Sequence, residues 1–195
     1  MIEITKKTNS QFDKVSWVLR AVSMDQTREI LMRAVYDDGY LVATDGRRLN
    51  RAKIEPEWLG LTAGCELTQF RVIENKRSRI ILDPINDGLA FPNYKAVIAS
   101  DLVPIEFLRV NKYGVNTTFT KLKGAGHVIG KDKQAASIVF ARIVSACAEP
   151  TCFRFEYLEQ GLPPTDFKAH QTNAAAPVIF WNDDYLSVIT PIRFS

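Results

Sequence analysis

The stretch Leu41–Asn50, LVATDGRRLN, constrains this chain more than any other. Leu41, Val42 and Ala43 read as the end of a buried strand, because apolar and β-branched residues suit a pleated, half-covered surface. Asp45-Gly46 is a turn signal, since glycine takes positive φ without penalty. Arg47, Arg48 and Leu49 then set two cations and an apolar side chain beside that turn. Upstream, Arg28–Tyr36 (REILMRAVY) predicts a strand, and Asp37-Asp38-Gly39 a hairpin turn into Tyr40–Thr44. Asn50–Ile54 continues as a third strand. A hairpin tip of this kind gathers backbone groups, fixed donors and a hydrophobic floor at one spot, which suits gripping a peptide.

A sheet of this sort needs a cover. Met1–Lys7 alternates apolar and polar residues and predicts a further strand, and Thr8-Asn9-Ser10 supplies N-cap candidates for a helix over Gln11–Ser23. Phe12, Val15, Val18, Leu19 and Val22 fall on one face of it at helical spacing. Asp13, Lys14, Trp17, Arg20 and Met24 fall on the other, where an exposed Trp17 would touch a partner or pack at a domain edge. Pro56–Leu61 reads as a short helix, and Glu66–Glu74 with Arg79–Leu82 as a second hairpin. Its tip, Asn75–Ser78, carries a small solvated basic cluster of Lys76, Arg77 and Arg79. Pro84–Ser100 is loop-like.

A domain boundary is expected near Ile98–Asp101. Beyond it, strands are expected at Pro104–Val110 and Val115–Leu122, then a loop at Gly124–Gly130. Lys131–Ala148 predicts a helix that buries Ala136, Val139, Phe140, Ile143 and Cys147 and turns Ser137, Ala141, Arg142 and Ser145 outward. Glu149-Pro150 stops it. Thr151–Leu158, Asp166–Thr172, Ala176–Trp181 and Tyr185–Phe194 read as a closing meander of strands. The expected fold class is α+β: two similar domains, residues 1–99 and 100–195, each with antiparallel sheets packed on helices. No strict sequence repeat links the two, so the duplication rests on pattern.

Composition narrows the function. A chain of 195 residues with 46% hydrophobic and 24% charged content is globular rather than disordered. Its net charge of +3 is too small to argue for nucleic acid by itself, though it permits a local basic surface. Cys65, Cys147 and Cys152 lack CxxC spacing and read as free thiols of a reducing cytosol. The N-terminus has no apolar h-region and no run approaches a membrane span, so a cytoplasmic chain with no membrane partner is expected. His127 sits among glycines and His170 in a strand-like run, with no nucleophile or metal ligand at interpretable spacing. Lys123-Gly124-Ala125-Gly126 lacks the Walker spacing and its Ser/Thr, while the pairs Asp37-Asp38 and Asp183-Asp184 read as turns. The expectation is a binding protein without cofactor, metal or catalysis.

Three segments, ATDGRRLN, FPNYKAV and YLSVITPIRF, resemble the bacterial DNA polymerase III beta subunit, the beta sliding clamp, and occur in that family's order. REILMRAVY followed by LVATDGRRL resembles its middle domain, and the terminus its last domain. The resemblance covers residues 1–50 and 91–97 and returns from about residue 134. It implies a hydrophobic pocket between middle and last domains that receives short peptides from polymerases, the clamp loader and repair proteins. Carried over motif by motif, the lining would be Leu31, Thr44, Gly46, Arg47, Arg48 and Leu49, with Pro92 and Val97 from the FPNYKAV loop. Val188, Pro191, Ile192 and Arg193 would come from the terminal strand. The resemblance further implies non-sequence-specific contact with duplex DNA phosphates, for which Lys14, Arg20, Lys131, Lys133 and Arg142 are the candidates. The family carries three domains and is acidic overall, whereas this chain has room for two and is basic. A six-domain ring would then be a homo-trimer. The expected function is a replication processivity factor, with a peptide-binding adaptor or decoy that never encircles DNA, or an unrelated α+β enzyme, as the alternatives.

Overall fold

The computed structural model describes residues 1–65, 67–98, 138–141, 151–173 and 175–192. The chain divides into two compact units, residues 1–98 and 99–195.

In the first unit, β1 (Ile2–Thr5) is followed by α1 (Phe12–Leu19), a 3-10 turn (Glu29–Met32), β2 (Arg33–Asp37), β3 (Tyr40–Thr44) and β4 (Arg48–Lys53). A second 3-10 turn (Pro56–Leu59), β5 (Thr68–Asn75), β6 (Arg79–Ile85) and a third 3-10 turn (Tyr94–Val97) complete it. The strands form an antiparallel sheet in the order β1-β6-β5-β2-β3-β4. Register aligns Phe70, Ala34, Ala43 and Asn50 in a row across β5, β2, β3 and β4, and all four are fully buried. Asn50 Nδ2 donates to the Trp17 carbonyl at 3.0 Å, which sets this row beneath α1; two alanines at its centre let the helix sit close. Phe12, Val15, Val18 and Leu19 fill the space between, as their spacing predicts.

Side chains alternate along a strand, so the opposite face of the sheet carries Arg33, Val35 and Asp37 of β2, Val42 and Thr44 of β3, and Leu49 of β4. The segment after β6 crosses back over β2 and β5 and is tied there by side chains. Arg33 forks onto Asp87 at 2.8 and 2.6 Å, Gln69 Nε2 donates to the Leu89 carbonyl at 2.6 Å, and Tyr94 Oη donates to Asp37 at 2.7 Å. Lys95 pairs with the same Asp37 carboxylate at 2.7 Å.

The second unit contains β7 (Ile138–Ala141), β8 (Thr151–Arg154), α2 (Phe155–Gly161), β9 (Lys168–His170), β10 (Val178–Trp181) and β11 (Tyr185–Ile189). β7 and β8 pair antiparallel, and β9, β10 and β11 follow one another as an antiparallel meander. Helix α2 packs on β8 and β11. Its core joins Phe153, Leu158 and Leu162 to Phe167, Ala169, Val178, Phe180 and Ile189, with the Phe167 and Phe180 rings edge to face at 5.4 Å. Gly161 lets the helix approach β11: a Cβ there would lie 2.8 Å from Ile189 Cδ1 and 2.9 Å from Ser187 Oγ.

The α+β reading holds, and several local expectations change. The helix expected over Gln11–Ser23 ends at Leu19, and Trp17 is buried rather than exposed: on so short a helix the apolar stripe widens to take it in. Arg28–Tyr36 is a strand only from Arg33, because Glu29–Met32 winds into a 3-10 turn that carries Leu31 inward. The helix expected over Lys131–Ala148 fails at Ile138–Ala141, which is strand β7; a run of Ile-Val-Phe prefers the pleated surface. The strand expected over Thr151–Leu158 stops at Arg154, and residues 155–161 are helical. The terminal strand ends at Ile189, ahead of Pro191, which cannot donate to a ladder. The strands expected at Pro104–Val110 and Val115–Leu122, and the loop at Gly124–Gly130, lie outside the described residues.

Candidate functional site

The turn between β3 and β4 is built from its own side chains. Thr44 Oγ1 accepts from the Gly46 amide at 3.0 Å and donates to the Arg48 carbonyl at 2.7 Å. Asp45 Oδ1 accepts from the Arg47 and Arg48 amides at 2.8 and 3.0 Å, and the Asp45 amide donates to the Arg48 carbonyl at 3.3 Å. Gly46 sits at φ +85°, a conformation that L side chains resist.

The two adjacent arginines have different fates. Arg48 is buried; its Nε lies 3.1 Å from Asp45 Oδ2 and its Nη2 donates to the Arg20 carbonyl at the end of α1. That carbonyl is one of the acceptors a helix leaves unsatisfied at its C-terminus, where a cation is also favoured by the helix dipole. Arg48 therefore supports the turn from beneath. Arg47 is exposed at the tip. A second exposed cation, Arg28, joins it from the loop before the Glu29–Met32 turn: its Nη1 donates to the Asp45 carbonyl at 3.2 Å, and its Nη2 lies 2.7 Å from where a Gly46 Cβ would be. The sequence reading missed Arg28, having taken it as the first residue of a strand. It missed the bracing role of Asp45 as well, although an Asp three residues before an Arg in a turn is a recognisable pairing signal.

The remaining residues of the expected lining fall as follows. Leu31 and Leu49 are buried, Leu31 with its carbonyl accepting from the Ser23 amide at 2.8 Å. Thr44 and Leu49 are register partners on the face opposite α1. Pro92 and Val97 are both exposed, flanking Tyr94, which anchors the segment. Tyr94 is tied at Asp37 and Asp87 at Arg33, so the segment crosses the same face as Thr44 and Leu49, from the tip end of β2 to its far end. Burial pushes the Asp37 carboxyl up, but Lys95 and Tyr94 together hold it below the ordinary carboxylate range. Burial, then the bond to Asp37, pushes the Tyr94 phenol up. The Arg33 fork brings the Asp87 carboxyl down to about 2. The Phe91 ring meets Tyr94 edge to face at 6.5 Å.

In the second unit, Val188 is buried opposite Ile179, and Pro191 and Ile192 follow β11 half-buried. Arg193 lies outside the described residues, as do Lys131, Lys133 and Arg142. Of the two described DNA candidates, Arg20 is exposed at the end of α1, and Lys14 is half-buried with Nζ 3.5 Å from the Lys53 carbonyl. The β10–β11 turn repeats the bracing of the β3–β4 turn. Asn182 Oδ1 accepts from the Asp184 and Tyr185 amides at 3.0 and 2.9 Å, and the Asn182 amide donates to the Tyr185 carbonyl at 2.9 Å. Among the described residues no cluster of three His, Cys, Asp or Glu could hold a metal, and no helix is long and apolar enough to cross a membrane. Cys65 is half-buried and unpaired.

No protein-family model matches this sequence, and no curated protein sequence matches it. Among solved structures, it matches bacterial beta sliding clamps along nearly its whole length. The DNA polymerase III beta of Caulobacter crescentus aligns over 99% of this chain and 65% of its own, at a TM-score of 0.57 and 18% identity. The beta subunit from Borrelia burgdorferi, in complex with a natural product, aligns over 100% and 64%, at 0.56 and 16%. The Helicobacter pylori beta clamp bound to a DNA ligase peptide aligns over 99% and 65%, at 0.54 and 14%. The chain thus has the sliding-clamp fold and spans about 65% of the length of the clamps it matches.

Proposed function

We propose that this chain is a sliding-clamp-like factor of DNA replication whose two units are the counterparts of a clamp's middle and last domains. It binds other proteins through short peptides and catalyses nothing itself. Each unit has its own set of candidate peptide contacts. In the first unit they are Leu31, Thr44, Gly46, Arg47 and Leu49, with Arg28 added and Arg48 supporting from below, and Pro92 and Val97 on the anchored segment. In the second they are Val188, Pro191, Ile192 and Arg193. The observation that carries this reading is the braced β3–β4 turn, a preformed cationic tip with Thr44 and Leu49 at its base, in a fold shared with a clamp that binds a DNA ligase peptide. Rigid turns lower the ordering cost of binding, and an exposed guanidinium beside apolar residues fits a peptide with apolar anchors and an acidic or carboxylate end.

The chain further assembles into a ring around duplex DNA, with Lys14, Arg20, Lys131, Lys133 and Arg142 contributing phosphate contacts that carry no sequence information. The peptide claim is tested by titrating the DNA ligase peptide into wild type, Val97→Asp and Ile192→Asp, with binding expected for wild type and at least a tenfold loss in each variant. The ring claim is tested by the molar mass in solution and by retention on circular against linearised DNA in high salt. A trimer held only on circles supports encirclement; a monomer supports an adaptor that captures peptides without DNA.

A further inference from the structure

Arg33 is the largest fully buried side chain among the described residues, at 1% exposure in the middle strands of the first unit. A buried guanidinium is costly unless its charge is paired, and an apolar residue of similar volume would fill the same space more favourably. What the guanidinium supplies instead is a rigid fork with fixed direction. Both terminal nitrogens bind Asp87, and one also reaches Glu29 at 3.1 Å in the 3-10 turn that carries Leu31. Further along, the segment it grips is tied by Gln69 at the Leu89 carbonyl and by Tyr94 and Lys95 at Asp37, so the Arg33 fork is the tie at its start. Residues 84–93, PINDGLAFPN, lack any apolar periodicity, and Leu89 is half exposed. Arg33 stands one position beyond the Ala34–Ala43 pair, level with Thr44, on the face that carries Leu49.

We infer that Arg33 is a positioning residue for the peptide site: by holding Asp87 and Glu29 at once, it fixes the 86–98 segment and the Leu31 turn against one sheet face. Pro92 and Val97 are thereby presented as a rigid rim. This role rests on the peptide-binding reading above, and its test separates the two. Asp87→Asn keeps the shape and the acceptor for the Leu89 amide while removing the charge of the fork; Asp87→Glu keeps the charge. Amide hydrogen exchange on the free chain and titration with the DNA ligase peptide are measured for both variants and wild type. Asp87→Asn is expected to speed exchange across 89–98 several-fold, leave β2–β4 protected, and weaken the peptide by about fivefold through loss of preorganisation; Asp87→Glu recovers most of both. Unchanged exchange, or faster exchange with unchanged affinity, overturns the positioning role alone. A wild-type chain that does not bind the peptide overturns the function proposed above and this role with it.

Discussion

The two three-residue loops, Asp45–Arg47 between β3 and β4 and Asn182–Asp184 between β10 and β11, share one design and differ in what they display. In each, the first loop residue accepts from the amides two and three positions on and donates its own amide to the carbonyl three positions on. The first loop then presents Gly46 and Arg47 with Arg28 laid across it, and the second presents two aspartates. The bracing is a property of the fold, and the charge at the tip is left open for function. The first tip also rests on a buried ion pair, Asp45–Arg48, whereas Asn182 is braced by bonds to Thr165 and the Asp166 carbonyl, both at 2.9 Å.

Breaking the braces should separate the two loops. Asp45→Ala strands the buried Arg48 and frees two amides, a loss of about 3 kcal/mol in urea unfolding. Asn182→Ala removes neutral bonds at a half-exposed site and should cost about 1–2 kcal/mol. If the two variants lose the same amount, the buried ion pair adds nothing to the first turn. A finer contrast lies one residue on. Gly46→Ala forces an L side chain into positive φ and displaces Arg28, costing about 1–2 kcal/mol. Asp183 has ordinary backbone angles, so Asp183→Ala should stay within about 0.5 kcal/mol of wild type.

The smallest effect concerns acid. The folded Asp87 carboxyl titrates at about 2, below its unfolded value of about 3.9, so its contribution is complete above the unfolded value and fades as pH falls toward the folded one. Arg33 is held cationic by its carboxylate partners, and Glu29 and Arg71 are the other charged groups facing the fork. Exchange protection of 86–98 should therefore be flat from pH 7 to about 5 and fall between about 4 and 2. Loss of protection at pH 6 would show that another group holds the segment.

What was legible in the sequence follows the same division between local and distant causes. The β3–β4 hairpin could be read because Asp-Gly and the flanking apolar runs act within a few residues, and the face of α1 because its spacing is periodic. Trp17 was misread because its burial depends on a sheet distant in sequence. Ile138–Ala141 was misread because its apolar run suits a helix face and a short strand alike, and the pairing with Thr151–Arg154 that settles it lies ten residues away. Arg33 entered the reading only as one residue of the strand expected over Arg28–Tyr36. Its partner Asp87 is 54 positions on, and no local pattern connects the two.

The most direct measurement is calorimetric titration of the DNA ligase peptide into the wild-type chain and into Arg47→Glu, a substitution at the exposed tip that leaves the bracing of the turn in place. Binding by wild type with at least a tenfold loss in Arg47→Glu is the predicted result. No binding by a folded wild-type chain, or equal affinity in both, would contradict the claim that the cationic tip receives a partner's peptide.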